Sequence, residues 1–135
     1  MIAMTNIHTI DQATLHVLSL AQEIHRLLGA GWSEAVYRDA LLILCEERLI
    51  PFRRAAGVRG AGPVRAAIVC YDTVLVRVCD RFVEQRGLRR SLVAAGLERA
   101  VLLRFEEQGV ISQIVRADGP AHVVIGDRSR PAYSD

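Results

Sequence analysis

The apolar pattern changes period once along the chain, at Pro51, and that change constrains the fold more than any other feature. Before it, Ile10, Leu15, Val17, Leu18, Ala21, Ile24, Leu27 and Leu28 recur at helical spacing. Thr9-Ile10-Asp11-Gln12 resembles a capping box, and Gly29 and Gly31 supply a stop, which predicts a first helix from Thr9 to Leu28. A second helix follows from Ser33 to Leu49, with Ser33 as its cap, Glu34 at its positive end and Ile50-Pro51 closing it. After Pro51 the apolar runs become short and β-branched. Pro51 to Val58 reads as a short strand, Gly60-Ala61-Gly62-Pro63 as a turn, and Val64 to Cys70 with Thr73 to Cys79 as a hairpin about Tyr71-Asp72. In the second hairpin strand Val74, Val76 and Val78 form a buried face, which leaves Thr73, Leu75, Arg77 and Cys79 on a more polar one.

A third helix is expected over Arg81 to Ala95, with Gly87 in its interior costing about 1 kcal/mol relative to alanine. Strands over Arg99 to Phe105 and Val110 to Arg116 turn at Glu106-Glu107-Gln108-Gly109, His122 to Ile125 adds a short strand, and the tail 126–135 frays. The later strands are expected to present unpaired edges or apolar faces without lysine gatekeepers, a surface suited to self-association. No repeat or linker interrupts this order. It implies one α/β (α+β) domain over residues 1–135, with two N-terminal helices packed on a mixed central sheet and a further helix.

Composition agrees with a single core: 135 residues, 51% hydrophobic and 24% charged, exclude long disorder and fibrous repeats. All 17 basic residues are arginine, and 15 acids bring the net charge to +2, too mild to imply nucleic acid by itself. Arginine without lysine, amid abundant alanine and valine, points to a GC-rich bacterial source. Cys45, Cys70 and Cys79 lie in apolar runs without CxxC spacing, so neither a disulfide framework nor a zinc site follows and reduced, buried thiols are expected. No segment reaches the roughly 18 uninterrupted apolar residues of a membrane span, and the start lacks a signal-peptide pattern, which implies a cytoplasmic protein.

Glu23-Ile24-His25, Leu28-Gly29-Ala30-Gly31 and Gly31-Trp32-Ser33-Glu34-Ala35-Val36-Tyr37 carry a more specific pattern. It resembles the GxxExxY family, a branch of the PD-(D/E)XK nuclease superfamily, through Gly31, Glu34 and Tyr37. The resemblance runs from about Ala21 to Arg116, through Leu49-Ile50-Pro51-Phe52 and Ala95-Gly96-Leu97, and implies a nuclease-like core over 9–116. In the family, an aspartate on the first hairpin strand and a glutamate on the second hold magnesium, and a lysine two residues later stabilises transition-state charge. The matching positions here are Ala67, Arg77 and Cys79, so all three roles are vacant. The glutamine and tyrosine of the family's third helix fall on Gly87 and Ser91, and the asparagine of its next strand on Arg104. Arginine at 77 places a permanent positive charge where a divalent cation would sit. Neither metal nor other cofactor is therefore expected. If these positions line an open cleft, restoring Ala67→Asp, Arg77→Glu and Cys79→Lys together leaves a folded protein.

Each singled-out residue has a plainer role beside the functional one. Glu34 in a first helical turn complements the helix dipole, Tyr37 is a packed aromatic, and Cys79 is an inert strand thiol. His8, His16, His25 and His122 form no HxxxH or HxH arrangement. Arg53, Arg54, Arg59 and Arg65 near the start of the sheet, with Arg81, Arg86, Arg89 and Arg90 near the third helix, could follow phosphates in a groove. Asp72, Asp80, Glu84 and Glu98 interleave with them as in a salt-bridged surface. The leading expectation is a pseudo-nuclease acting as a regulatory or structural protein through protein contacts, self-associated, with its other partner unspecified. A non-cleaving nucleic-acid binder of low, salt-labile affinity is the alternative. A nuclease with relocated ligands ranks third, because Asp72 and Asp80 at opposite ends of one strand run stand roughly 25 Å apart.

Overall fold

The computed structural model describes residues 10–54, 67–79, 85–119, 122–125 and 128–131. Helix α1 spans Ile10–Leu28, and the expected cap at Thr9 lies outside the described residues. Helix α2 spans Glu34–Glu47, and the side chain of its N-cap, Ser33, accepts a hydrogen bond from the Val36 amide. It ends two residues before the expected Leu49. The Leu49 amide donates to Glu46 O at 3.3 Å and the Ile50 amide to Cys45 O at 2.9 Å, the bonding pattern of a Schellman cap. That cap requires a left-handed residue after the helix, and Leu49 supplies it at φ 57 while 88% exposed. A left-handed L-residue costs about 1–2 kcal/mol. Leu49→Gly is therefore expected to raise stability by roughly 0.5–1 kcal/mol after the glycine's larger unfolded-state entropy is deducted. An unchanged urea midpoint would show that the cap is unstrained.

Beyond Pro51, among the described residues, seven strands form one sheet in chain order, β1 to β7. They are β1 (Phe52–Arg54), β2 (Ala67–Cys70), β3 (Val74–Val78), β4 (Arg99–Glu106), β5 (Gly109–Arg116), β6 (His122–Ile125) and β7 (Arg128–Pro131). Every neighbouring pair is antiparallel except β3 and β4, which run parallel because helix α3 (Gln85–Ala95) lies between them in sequence. Tyr71 and Asp72, both left-handed at φ 57 and 59, make the β2–β3 turn.

Helices cover both faces, so the domain is a three-layer, mixed α+β structure. On one face α1 and α2 pack Val17, Ile24 and Leu41 against Ile68, Val76, Val101 and Leu103. On the other, Leu88 and Leu92 of α3 pack against Val69, Leu75, Ala100 and Leu102. This corrects the expectation of a polar face on β3: Leu75 is fully buried, and Arg77 is a half-buried interruption in a second apolar core.

The edges are corrected too. Strands β4 and β5 are paired on both sides and β6 is covered by β7, so among the described residues the edge strands are β1 and β7, each carrying two arginines. Arg128–Pro131, inside the segment expected to fray, forms β7. Gly87 falls in the first turn of α3 and not in its interior. The Gly60–Pro63 turn and the strand beyond Arg54 lie outside the described residues. Among the described residues no helix is long and apolar enough to cross a membrane.

Candidate functional site

The family-like motif folds into a compact corner between α1 and α2. Gly29, at φ 74, ends α1 with its amide on His25 O at 2.8 Å, and Gly31, at φ 96, turns the chain toward α2. The Tyr37 hydroxyl closes this corner, donating to Gly29 O at 2.6 Å and accepting from the Trp32 amide at 3.3 Å. The Trp32 indole N–H returns to Leu28 O at 2.8 Å. The buried Tyr37 ring stacks on Phe105 of β4, centroids 4.0 Å apart and 3° from parallel, which fastens the corner to the sheet.

A cleft of about 260 Å³ opens beside it. Gly31, Trp32, Glu34 and Tyr37 line the helical wall, and Val78, Cys79, Arg104, Phe105 and Glu106 line the sheet wall. Strands β3 and β4 are parallel, so the cleft lies beyond their carboxyl ends, where open mixed sheets place ligand sites. Arg104 Nη2 donates to Glu106 Oε2 at 2.7 Å, pairing that cation within the wall. His25 Nε2 donates to the Glu106 carbonyl at 2.7 Å and ties α1 to the same strand end. With its hydroxyl engaged twice, Tyr37 acts as a strut of this corner. Tyr37→Phe should cost about 1 kcal/mol, the worth of a partly exposed hydrogen bond. It should also shift the emission of Trp32, the only tryptophan; an unchanged melting curve and spectrum would remove the strut role.

The residues singled out from sequence separate into two groups. Gly31, Glu34, Tyr37 and Cys79 meet in the cleft, joined by Arg104. Ala67 and Arg77 do not join them. They face each other directly in the β2–β3 register, on the sheet face packed by α3, whereas α2 packs on the opposite face. Ala67 is 0% exposed and Cys79 5%, so neither stands in open solvent. The expectation that the restored triple variant keeps its fold is thereby reversed. Gly87 and Ser91 interact with each other, Ser91 Oγ donating to Gly87 O at 3.1 Å in α3.

The arginines stand apart as well. Arg53, on edge strand β1, pairs with Asp72 at 3.2 Å, and Arg54 beside it is exposed. Arg89 on α3 donates to Gly119 O at 2.8 Å, while Arg90 is exposed. Arg59, Arg65 and Arg81 and the side chain of Arg86 lie outside the described residues. Among the described residues no cluster of three or more His, Cys, Asp or Glu side chains could hold a metal ion. Sequence reasoning missed Trp32 and Phe105 as parts of the cleft. Phe105, last apolar residue of β4's alternation, was the available signal. Comparison with protein-family models, curated proteins and solved structures finds no match.

Proposed function

We propose that this chain is a catalytically inactive relative of the PD-(D/E)XK nucleases, working as a regulatory or structural protein through protein contacts and self-associated. The observation that carries the reading is the Ala67–Arg77 pair. At the two neighbouring strand positions where the resemblance expects metal-binding carboxylates, an alanine and an arginine face each other. At an effective dielectric near 20, a guanidinium about 4 Å from a dication is repelled by several kcal/mol, without counting the missing ligands. The caps, both cores and the motif corner meanwhile keep a scaffold able to present a surface.

Self-association draws on exposed apolar side chains of the outer helical layer, Leu15 and Leu27 of α1 and Ile43 of α2, all more than half exposed. The arginine-bearing edges β1 and β7 oppose strand-to-strand pairing. The test incubates purified protein with magnesium or manganese and single- and double-stranded DNA and RNA, and measures its mass by light scattering. No cleavage and a dimer or larger assembly are expected. Turnover abolished by Glu34→Ala would overturn the inactive reading, and a monomer up to roughly 100 μM would overturn self-association. Sequence-specific nucleic-acid binding at nanomolar affinity in physiological salt would replace protein contacts as the mode of action.

A further inference from the structure

Cys45 and Cys70 are two nucleophilic groups that the cleft does not use. Cys45 lies in the last turn of α2, where its carbonyl accepts the Ile50 amide at 2.9 Å. The Pro51 carbonyl then accepts the Tyr71 amide at 2.9 Å, and Phe52 is the register partner of Cys70. This short return brings the two side chains together in the core beneath α2, both at 0% exposure. Their side chains are hydrogen-bonded to each other, the Cys70 thiol donating to the Cys45 sulfur. That bond holds Cys45 below the ordinary thiol range, while the same bond and burial push Cys70 up. One sulfur of the pair acts as nucleophile while the other bears the shared proton, and either assignment gives the same crosslink.

We propose that Cys45 and Cys70 form a reversible disulfide, a redox-sensitive clamp of helix α2 onto strand β2 that a hydroperoxide closes. With Cys45 as the nucleophile, its sulfur attacks a peroxide oxygen; an S–O bond forms, the O–O bond breaks, and the departing hydroxide takes the thiol proton as water when hydrogen peroxide is the oxidant. The Cys70 sulfur then attacks Cys45, forming S–S and breaking S–O. The second hydroxide leaves with the Cys70 proton as another water. Two electrons pass from the thiols to the peroxide. Closing the bond brings the sulfurs to about 2 Å. Because both are sealed, the reaction proceeds through local opening of the segment joining α2 to β1. Cys79 belongs to the other core, across the sheet, and serves as the internal control.

The clamp joins elements 25 positions apart in sequence and fixes the helix whose other end supplies Glu34 and Tyr37 to the cleft. The full chain is exposed to hydrogen peroxide, then alkylated and mapped by mass spectrometry. Alkylatable thiols should fall from three to one, with the crosslink at Cys45–Cys70, and dithiothreitol should restore all three. Amide exchange across α2 should slow on oxidation, and Cys45→Ala and Cys70→Ala should each abolish the crosslink. Three alkylatable thiols after oxidation, added oxygen without a crosslink, or a crosslink through Cys79 would each overturn the proposal. Wild-type mapping decides this even if a variant fails to fold. A Cys45–Cys70 disulfide with unchanged α2 exchange would overturn the clamp.

Discussion

Ala67→Asp combined with Arg77→Glu is expected to cost about 4 kcal/mol or more at neutral pH, most of the stability of a domain this size. Ala67 is fully buried among Val69, Leu75 and Leu102 and faces position 77 across the β2–β3 ladder. Two carboxylates there would be desolvated and mutually repelled, with no cation opposite. Ala67→Asp alone should cost distinctly less, because Arg77 is then the direct partner of the new carboxylate. Its Nε is buried without a hydrogen-bond partner among the described residues, so it has a donor to offer. The pH dependence follows from sign. Burial and like charge raise the folded-state pKa of both introduced carboxyls above their unfolded values. The penalty is therefore absent below the ordinary carboxylate range and grows as pH rises through it, so the double variant regains stability in acid. Urea titrations of wild type, both singles and the double, at neutral and acid pH, measure the coupling. A double variant as stable as wild type at neutral pH would show that these positions line an open cleft, and the case against a metal there would lose its geometric support.

Leu92→Ala and Val93→Ala should differ by several kcal/mol although the residues are adjacent. Leu92 is 0% exposed and Val93 is 66% exposed on the outer side of α3. Truncating Leu92 removes its transfer free energy and leaves a cavity against the sheet, about 3–5 kcal/mol in comparable cores, whereas Val93→Ala should change stability by about 0.5 kcal/mol or less. The comparison tests whether α3 seals the second face of the sheet, on which the burial of Ala67 and Leu75 depends. Equal effects at the two positions would remove that layer.

Local features were legible wherever the physics was local. Ser33 caps α2 as its hydroxyl predicts, and the stop at Gly29 depends on a left-handed glycine that the residue type announces. The turn between β4 and β5 falls at Glu107-Gln108 within the segment expected for it. The motif Gly31, Glu34 and Tyr37 could be named from spacing, and those residues do gather at one cleft. The end of α2 was misplaced because leucine at position 49 gives no sign that it will adopt the left-handed conformation of a cap. Residues 128–131 looked polar and free because a strand that pairs on one side needs no apolar alternation of its own.

The order of elements, the change from helical to strand period at Pro51 and the mixed α+β class are properties of the chain alone, because side-chain periodicity and capping act between residues a few positions apart. Which strand face meets which helix is not. Thr73, Leu75, Arg77 and Cys79 alternate in polarity as a half-exposed strand would, and only the packing of α3 across β3 to β5 makes their face a second core. That packing separates Arg77 and Ala67 from Glu34, while the packing of α1 and α2 on the other face sets Cys45 against Cys70, and the strand ends bring Cys79 and Arg104 to the cleft. These contacts join residues far apart in sequence, and the free energy that selects them is apolar burial summed over whole layers, which no local stretch of sequence encodes.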